Sequence, residues 1–281
     1  MLFKLYVTLS ALLTAVTVWG GGLYRSLSLI WQLPSLWLGY FVGLLVWQVL
    51  FIFVMSLLTD KSKPADRWHP FYYKEMVWTI ELGLTIGRVK LHVTGEEKLP
   101  RDQRFLMVCN HLSLLDPLVC LWRFADLPTA YISKPENFAL PIVGGIIHKC
   151  RFLAIDRENP RNAMLTIRQA ADILTEGQLN MAVYPEGTRS KTKELQEFHN
   201  GVLKIAQKAK APIVVMSLRN TDRVLPQFFW KGTDVYIEIA TVLPYESFEG
   251  QSTAELAQTV RAEMEASIAR VEAIANADTR R

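Results

Sequence analysis

The sequence predicts an α/β protein with a single mixed sheet of about seven strands, flanked by helices and preceded by a hydrophobic helical membrane anchor. Three observations lead to this prediction. Half of the 281 residues are hydrophobic. Charged residues are almost absent from residues 1–60. From residue 88 onwards, short β-branched runs alternate with helical patterns, which is typical of a sheet covered by helices on its faces.

The predicted anchor, residues 1–60, consists of two apolar stretches. They are residues 5–24 and 34–58, and each is long enough to cross a hydrocarbon core of about 30 Å. Lys4 and Arg25 are the only charged residues before residue 60. Two full spans are expected, and a hairpin embedded in one leaflet is the alternative.

Basic residues follow the second apolar stretch, at Lys61, Lys63 and Arg67. By the positive-inside rule, they predict that the following domain lies on the cytoplasmic face of the cell (inner) membrane. The segment 61–87 is rich in Trp and Tyr from residue 67 onwards, and such residues favour the headgroup level of a bilayer. We therefore expect an interfacial or linker helix here, with a core helix of the domain as the alternative.

Residues 88–281 form the predicted α/β domain, with no internal repeat or linker. Strands are expected at 89–95, 105–109, 129–133, 152–155, 180–184, 212–218 and 235–242. Helical patterns lie between several of these strands, and the one at 161–177 ends on a glycine, as a helix often does. A further helix is expected over 252–274, where Ser252 and Glu255 have the spacing of a capping box.

Charge and cysteine usage exclude several classes of function. The net charge of +4 is too small for nucleic-acid binding, and no basic stripe is interleaved with aromatic residues. Cys109, Cys120 and Cys150 follow no framework spacing, which favours buried, reduced thiols in a cytosolic compartment. No Cys and His cluster has the spacing of a metal site, so no metal is expected.

Polar residues follow four of the predicted strands at the point where each strand ends. They are His111 and Asp116, then Lys134, then Asp156 and Arg157, and finally the segment PEGTRS at 185–190. In open α/β sheets the carboxyl ends of the strands line the ligand crevice. If these strands are parallel neighbours, all of these groups lie in one cleft, which is the pattern of a site rather than of structural loops.

His111 lies five residues before Asp116, in the segment NHLSLLDP. On a regular helix this separation leaves the two side chains about 140° apart. They meet only if His111 lies in the strand-to-helix turn and Asp116 in the first helical turn. Asp116 would then orient the ring and leave the other nitrogen as a general base. The alternatives are a structural histidine and an aspartate that caps the helix before Pro117.

The arginines indicate what the substrate carries. Arg157 and Arg189 come from different loops, and guanidinium groups suit phosphate oxygens. Gly187 permits a close backbone approach, and Thr188 adds a hydroxyl. The alternative is a structural ion pair between Glu186 and one arginine. A substrate hydroxyl is the most economical target for the base.

These residues resemble the motif blocks of the glycerolipid acyltransferase superfamily, and more narrowly of the bacterial 1-acyl-sn-glycerol-3-phosphate (lysophosphatidic acid) acyltransferases. The family's NHxxxxD block is matched at 110–116 and its Ile-Asp-Arg block at 155–157. Its Phe-Pro-Glu-Gly-Thr-Arg-Ser block is matched at 184–190, with Tyr184 in place of the Phe. An apolar-Pro-Ile block follows at 211–213.

The resemblance implies a reaction and its partners. A fatty acyl group would pass from acyl-CoA or acyl-carrier protein to the sn-2 hydroxyl of the membrane lipid 1-acyl-glycerol-3-phosphate, giving phosphatidic acid in phospholipid biosynthesis. No cofactor is implied. The alternatives are another acceptor, such as glycerol-3-phosphate or another lysophospholipid, a non-catalytic lipid-binding protein on the same fold, and a serine hydrolase that uses Ser113.

The resemblance also implies roles for eight residues. His111 would be the general base and Asp116 its orienter. The implied substrate-binding residues are Arg157, Arg189 and Lys134 at the phosphate and Glu186 and Gly187 at the glycerol, together with Thr188.

Overall fold

The computed structural model of the chain describes residues 1–25, 29–62, 65, 67–190 and 192–279. Within these residues lies one seven-stranded mixed sheet, in the order β1-β7-β6-β2-β5-β3-β4. The strands are β1 (Val89–Thr94), β2 (Leu106–Cys109), β3 (Thr129–Ser133), β4 (Leu153–Ala154), β5 (Asn180–Val183), β6 (Ile213–Arg219) and β7 (Thr233–Leu243). The predicted single mixed sheet of about seven strands is confirmed.

Helices cover the sheet and precede it. They are α1 (Leu2–Gly20), α2 (Leu29–Leu57), α3 (Pro70–Ile86), α4 (Asp116–Arg123), α5 (Pro135–Ala139), α6 (Gly144–Lys149), α7 (Pro160–Thr175), α8 (Lys204–Ala209), α9 (Thr221–Gln227) and α10 (Thr253–Thr279). Short 3-10 helices lie at Leu23–Arg25, Glu96–Lys98, Asn200–Leu203 and Tyr245–Ser247.

The strands β6, β2, β5, β3 and β4 are parallel to one another. Strand β7 runs antiparallel to β6, and β1 lies parallel to β7. Every residue of β2 and β5 is buried, as expected for strands that are covered on both faces. The carboxyl ends of the five parallel strands therefore share one edge of the sheet, and this edge carries the predicted site.

Two helix signals predicted from the sequence are present in the structure: the glycine after α7 and the capping box at the start of α10. The Asn159 side chain caps α7, and Pro160 occupies its first position, where the missing N–H costs nothing. Gly177 follows that helix with φ +74°, a left-handed conformation that suits glycine. At the start of α10, the Ser252 N–H donates to the Glu255 carboxylate at 2.9 Å, and the Glu255 N–H donates to Ser252 Oγ at 3.3 Å. This is the predicted capping box.

Helices α1 and α2 are the two predicted apolar segments. Both are long and apolar enough to cross a membrane, and only 22% and 17% of their apolar windows are buried. Large apolar side chains such as Val16, Trp19 and Trp31 are exposed on them. Because contiguous apolar surface of this size needs a cover, the two helices are consistent with membrane association.

Helix α3 joins this pair to the α/β domain. Its Tyr73 and Met76 are buried in the core of the domain, whereas its Leu82 packs against Leu2 and Tyr6 of α1. Part of the segment predicted to be interfacial or a linker thus also contributes to the core. Among the basic residues expected beside the anchor, Lys63 lies outside the described residues.

Candidate active site

A cleft of about 300 Å³ opens at the carboxyl edge of the parallel strands. Six of the eight predicted site residues line it, namely His111, Lys134, Arg157, Gly187, Thr188 and Arg189. The remaining two, Asp116 and Glu186, are buried and contact His111 from behind the cleft wall. Tertiary structure therefore brings together residues from four different strand ends, as the strand-end pattern predicts.

The His111 ring is held by Asp116. Its Nδ1 lies 2.7 Å from Asp116 Oδ2, and the carboxylate is completely buried. His111 lies in the turn after β2, and Asp116 is the first residue of α4, which is the arrangement that the five-residue spacing requires. An acceptor at Nδ1 fixes the tautomer and leaves Nε2 as the basic nitrogen.

The same carboxylate oxygen also organises the turn. Asp116 Oδ2 accepts hydrogen bonds from the backbone N–H groups of Leu112 at 2.7 Å and Ser113 at 2.8 Å. These N–H groups precede α4, whose N-cap is Leu115 and has no side-chain cap. The alternative that Asp116 caps the helix is therefore wrong. One carboxylate oxygen thus holds both the His111 ring and the backbone of the turn that carries it.

Glu186 fixes the backbone of the turn that carries His111. Its side chain accepts from the backbone N–H of His111 at 2.7 Å and from that of Gln196 at 2.9 Å. Since both carboxylate oxygens accept backbone N–H groups, the alternative of an ion pair with arginine is not realised among the described residues. Burial raises the pKa of Glu186, against the lowering effect of the two N–H groups. Its effect on the site is therefore exerted through the backbone of His111.

Two tyrosines that the sequence pattern did not assign to the site form one wall of the cleft. The ring of Tyr184 stacks on His111, with centroids 4.2 Å apart, and Tyr131 stacks behind Tyr184 at 6.0 Å. Neither phenol hydroxyl has a nitrogen or oxygen hydrogen-bond partner among the described residues. Burial raises the pKa of both phenols. The sequence signal that could have indicated them is a tyrosine in each of two strand segments, Tyr131 within β3 and Tyr184 directly after β5.

The cationic side of the cleft is built around Gly187. Arg157 Nη1 donates a hydrogen bond to the Gly187 carbonyl. Gly187 has φ +68°, and a Cβ there would lie 2.7 Å from the His199 ring and 3.3 Å from Arg157 Nη1. Only glycine fits this combination of backbone conformation and close approach. His199 also lines the cleft.

Positive charge dominates the open side of the cleft. Arg189 and Lys134 are exposed, and neither forms an ion pair with any described residue. Desolvation by burial lowers the pKa of Arg157, but a guanidinium stays charged at any physiological pH. Three cations therefore face a cleft that no carboxylate lines among the described residues, which suits a phosphate-bearing ligand.

Asp156 and Ser113 do not contribute side chains to the cleft. The Asp156 carboxylate accepts from the Glu158 N–H and from Asn162 Nδ2, both at 3.1 Å. It therefore holds the turn before α7, and the expectation that it would join the cleft is wrong. Ser113 Oγ accepts from the Leu115 N–H at 3.2 Å, which directs it to its own turn.

Metal ligation is absent from the parts of the chain that the structure describes. No three His, Cys, Asp or Glu side chains there lie close enough to hold a metal ion. The absence of a cofactor in the reaction stays a prediction.

Comparisons with known proteins find related sequences. The sequence profile of the acyltransferase family matches residues 90–219. The chain is 31% identical over 184 residues to a probable 1-acyl-sn-glycerol-3-phosphate acyltransferase of Mycoplasma pneumoniae, a match that covers 60% of this chain and 67% of that relative. It is 27% identical over 162 residues to a 1-acyl-sn-glycerol-3-phosphate acyltransferase of Borreliella burgdorferi, covering 57% of this chain and 64% of that relative.

A solved structure has the same fold. The crystal structure of the 1-acyl-sn-glycerophosphate (LPA) acyltransferase PlsC from Thermotoga maritima superposes with a TM-score of 0.59 at 25% identity, covering 84% of this chain and 92% of that one. The chain spans about half to two-thirds of the length of the curated relatives that it matches.

Proposed function

Because the chain belongs to the acyltransferase family, we propose that it transfers a fatty acyl group from a thioester to the sn-2 hydroxyl of 1-acyl-glycerol-3-phosphate. The product is phosphatidic acid. The observation that carries the proposal is the His111–Asp116 pair, which faces a cleft rimmed by three cations. The names of the similar bacterial proteins and of the solved structure support this acceptor.

His111 acts as the general base. Its Nε2 takes the proton from the acceptor hydroxyl while the hydroxyl oxygen attacks the thioester carbonyl carbon. Asp116 holds the Nδ1–H and stabilises the imidazolium that forms. The new C–O ester bond forms, the C–S bond breaks, and the leaving thiolate takes the proton from His111. The products are phosphatidic acid and the free thiol of CoA or of the carrier protein, with no acyl-enzyme.

The acceptor phosphate binds at the cationic side of the cleft. Arg157 and Arg189 offer planar forks that match phosphate oxygens, and Lys134 adds a point charge. Gly187 and Thr188 directly precede Arg189 in the chain and also line the cleft, where they meet the glycerol. Glu186 acts from behind as a positioning residue.

The apolar wall of the cleft suits the acyl chains. It is formed by Leu114, Ile132, Phe152, Ile155, Val183 and Val202. The segment that carries Lys134 continues into α6, where the Gly145 N–H donates to Ser56 Oγ of α2 at 3.0 Å. This bond ties one side of the cleft to the end of the anchor, which favours delivery of a lipid acceptor from the membrane.

We place the protein at the cell (inner) membrane, with the α/β domain on the cytoplasmic face. The two apolar helices support membrane association. Lys61 lies just past the end of α2 and donates a hydrogen bond to the Phe138 carbonyl at 3.1 Å. A basic residue is thus held between the anchor and the α/β domain, where the positive-inside rule expects one. Two full spans stay the prediction for α1 and α2, with the one-leaflet hairpin as the alternative.

An acceptor-competition assay tests the function. Purified full chain in detergent is offered 1-acyl-glycerol-3-phosphate, glycerol-3-phosphate and lysophosphatidylcholine, each with acyl-CoA and with acyl-carrier protein. We expect kcat/KM for 1-acyl-glycerol-3-phosphate to exceed the others by about tenfold or more, as loss of a charged or apolar contact implies. A preference for another acceptor would refute the proposed substrate. Lipid binding without turnover would favour the non-catalytic alternative.

A further inference from the structure

Two neighbouring aromatic side chains project from the loop after α9, the aromatic loop (residues 228–231). Phe229 is 80% exposed and Trp230 is 84% exposed. Single exposed apolar side chains are ordinary on protein surfaces, but two large adjacent rings in water indicate a contact surface.

The outward direction of these rings is built into the loop. The N–H groups of Trp230 and Lys231 both donate to the Gln227 carbonyl at 2.9 Å. The Phe228 ring packs against Gly87, where a Cβ would lie 2.6 Å from a ring carbon. One aromatic residue therefore anchors the loop, and the next two are presented to the outside.

Three cations lie in or next to the aromatic loop in the chain or in space: Lys231 belongs to it, Arg223 is in the preceding helix α9, and Arg88 lies against Gly232, the residue that follows it. Arg88, Arg223 and Lys231 are exposed, and none of them forms an ion pair with a described residue. The nearest carboxylates in the chain are already occupied, since Asp222 pairs with Lys193 and Asp234 with His92, both at 2.8 Å. The surface thus combines a pair of exposed aromatic rings with exposed cations on the adjoining segments.

The aromatic loop lies at the edge of the sheet that carries the cleft. It follows α9 and leads into β7, which runs antiparallel to β6. Because β6 is parallel to β2, the start of β7 lies at the same edge as the carboxyl ends of β6 and β2. Two hydrogen bonds between Asn110 and the backbone of Leu218, at 3.1 and 2.7 Å, tie the two strand ends together. His111 is the residue that follows Asn110.

The aromatic loop is also continuous with the anchor. Gly87, against which Phe228 packs, is the C-cap of α3. The last turns of that helix carry Leu82, which packs on Leu2 and Tyr6 at the start of α1. The loop at the cleft edge is therefore connected through α3 to the base of the anchor.

We propose that the aromatic loop inserts into the headgroup region of an anionic membrane and forms a second membrane contact beside the anchor. Trp and Phe supply the interfacial rings, and the three cations pair with anionic headgroups. Anchor and loop together would fix the orientation of the domain, with the mouth of the cleft towards the lipid. The inference depends on the membrane anchor and not on the reaction in the cleft.

Depth measurement of a spin label tests the insertion directly. The full chain carries a nitroxide at Trp230→Cys, or at Leu165→Cys as the control, since Leu165 is 52% exposed on α7. Each is placed in nanodiscs of phosphatidylcholine with about a quarter phosphatidylglycerol. At position 230 we expect more collisions with oxygen than with a water-soluble nickel chelate, and the reverse at position 165. The same water-like profile at both positions would overturn the proposal.

Activity on different lipid supports tests the consequence. The double variant Phe229→Ser with Trp230→Ser should retain its rate in detergent micelles and lose about threefold or more on anionic vesicles. Replacing Arg223 and Lys231 by Gln should cost about fivefold per cation on anionic vesicles and little on neutral ones. Equal losses on all supports would contradict the proposal. A loss confined to the carrier-protein thioester would also contradict it, because the surface would then dock a protein.

Discussion

The phenol ring of Tyr184 lies parallel to the imidazole of His111, with ring centroids 4.2 Å apart and ring planes 17° apart. This contact restrains the face of the imidazole ring. The hydrogen bond from Nδ1 to Asp116 restrains its ring nitrogen, and the hydrogen bond from the His111 N–H to Glu186 restrains its backbone. Such restraint matters because a general base must keep its geometry while the proton moves.

The ring of Tyr184 restrains His111, but its hydroxyl group makes no contact that adds to this restraint among the described residues. The hydroxyl is buried and has no nitrogen or oxygen partner in the part of the chain that the structure describes, so Tyr184→Phe should raise the free energy of unfolding by about 1 kcal/mol and leave kcat unchanged. Tyr184→Leu, which removes the stack, should lower kcat. Urea unfolding and steady-state rates in detergent measure both. Equal loss of activity in the two variants would mean that the hydroxyl contacts substrate.

Removal of the base should abolish most of the activity. His111→Ala is expected to lower kcat at least about a hundredfold, as loss of a general base does, with an unchanged circular dichroism spectrum. Ser113→Ala is the matched control in the same turn. It should keep near-normal activity because, within the described part of the chain, Ser113 Oγ bonds only the Leu115 N–H. A dead Ser113 variant with a trapped acyl-enzyme would support the hydrolase alternative instead.

Phosphate binding should depend on Arg189. The guanidinium is exposed at the cleft and pairs with no described carboxylate, so Arg189→Ala should remove a charge-assisted contact of about 1.5–3 kcal/mol. The KM for the phosphorylated acceptor should therefore rise about tenfold or more, and the KM for the acyl donor should change little. Arg189→Lys should recover part of the effect. Equal rises in both KM values would argue against a phosphate role.

Gly187 and Gly177 have similar backbone conformations. Comparing their alanine variants therefore separates the effect of backbone strain from that of steric crowding in the site. Gly187 has φ +68° and faces His199 and Arg157, whereas Gly177 has φ +74° with nothing near its missing Cβ. Alanine at Gly177 should cost about 1 kcal/mol through backbone strain alone and leave activity intact. Alanine at Gly187 should cost more and also lower kcat/KM, because Arg157 or His199 must move. Identical effects of the two variants would rule out crowding at the site.

The buried Glu186 predicts a pH-dependent stability. Burial raises its pKa in the folded state above the ordinary value of 4.5, so its stabilising effect is greatest below that value and is lost as pH rises through the raised pKa. Glu186→Gln cannot titrate and leaves one backbone N–H without an acceptor, which costs about 1–3 kcal/mol. The stability advantage of the wild type over this variant should therefore shrink from acidic to neutral pH. Urea unfolding across that range measures it, and a growing advantage would contradict the assignment.

Much of the fold follows from local pattern. The seven strands were predicted within one or two residues, because an apolar β-branched run bounded by turn residues specifies a buried strand through its nearest neighbours. The same holds for the capping box at Ser252 and for the glycine stop after α7. Six residues that line the cleft, from His111 to Arg189, were also found in advance, because each belongs to a short motif at the end of a strand.

What the sequence by itself determined is therefore the set of strands and the chemical groups placed at their ends. Only the tertiary structure decided which partners each of those groups contacts. It turned Asp156 towards its own loop, wrapped the turn of Leu112 and Ser113 around one oxygen of Asp116, and brought Tyr184 onto the His111 ring. The physical reason is that strand and turn preferences act between near neighbours in the chain. Partners brought together by sheet order and register are instead chosen by packing between segments far apart in sequence.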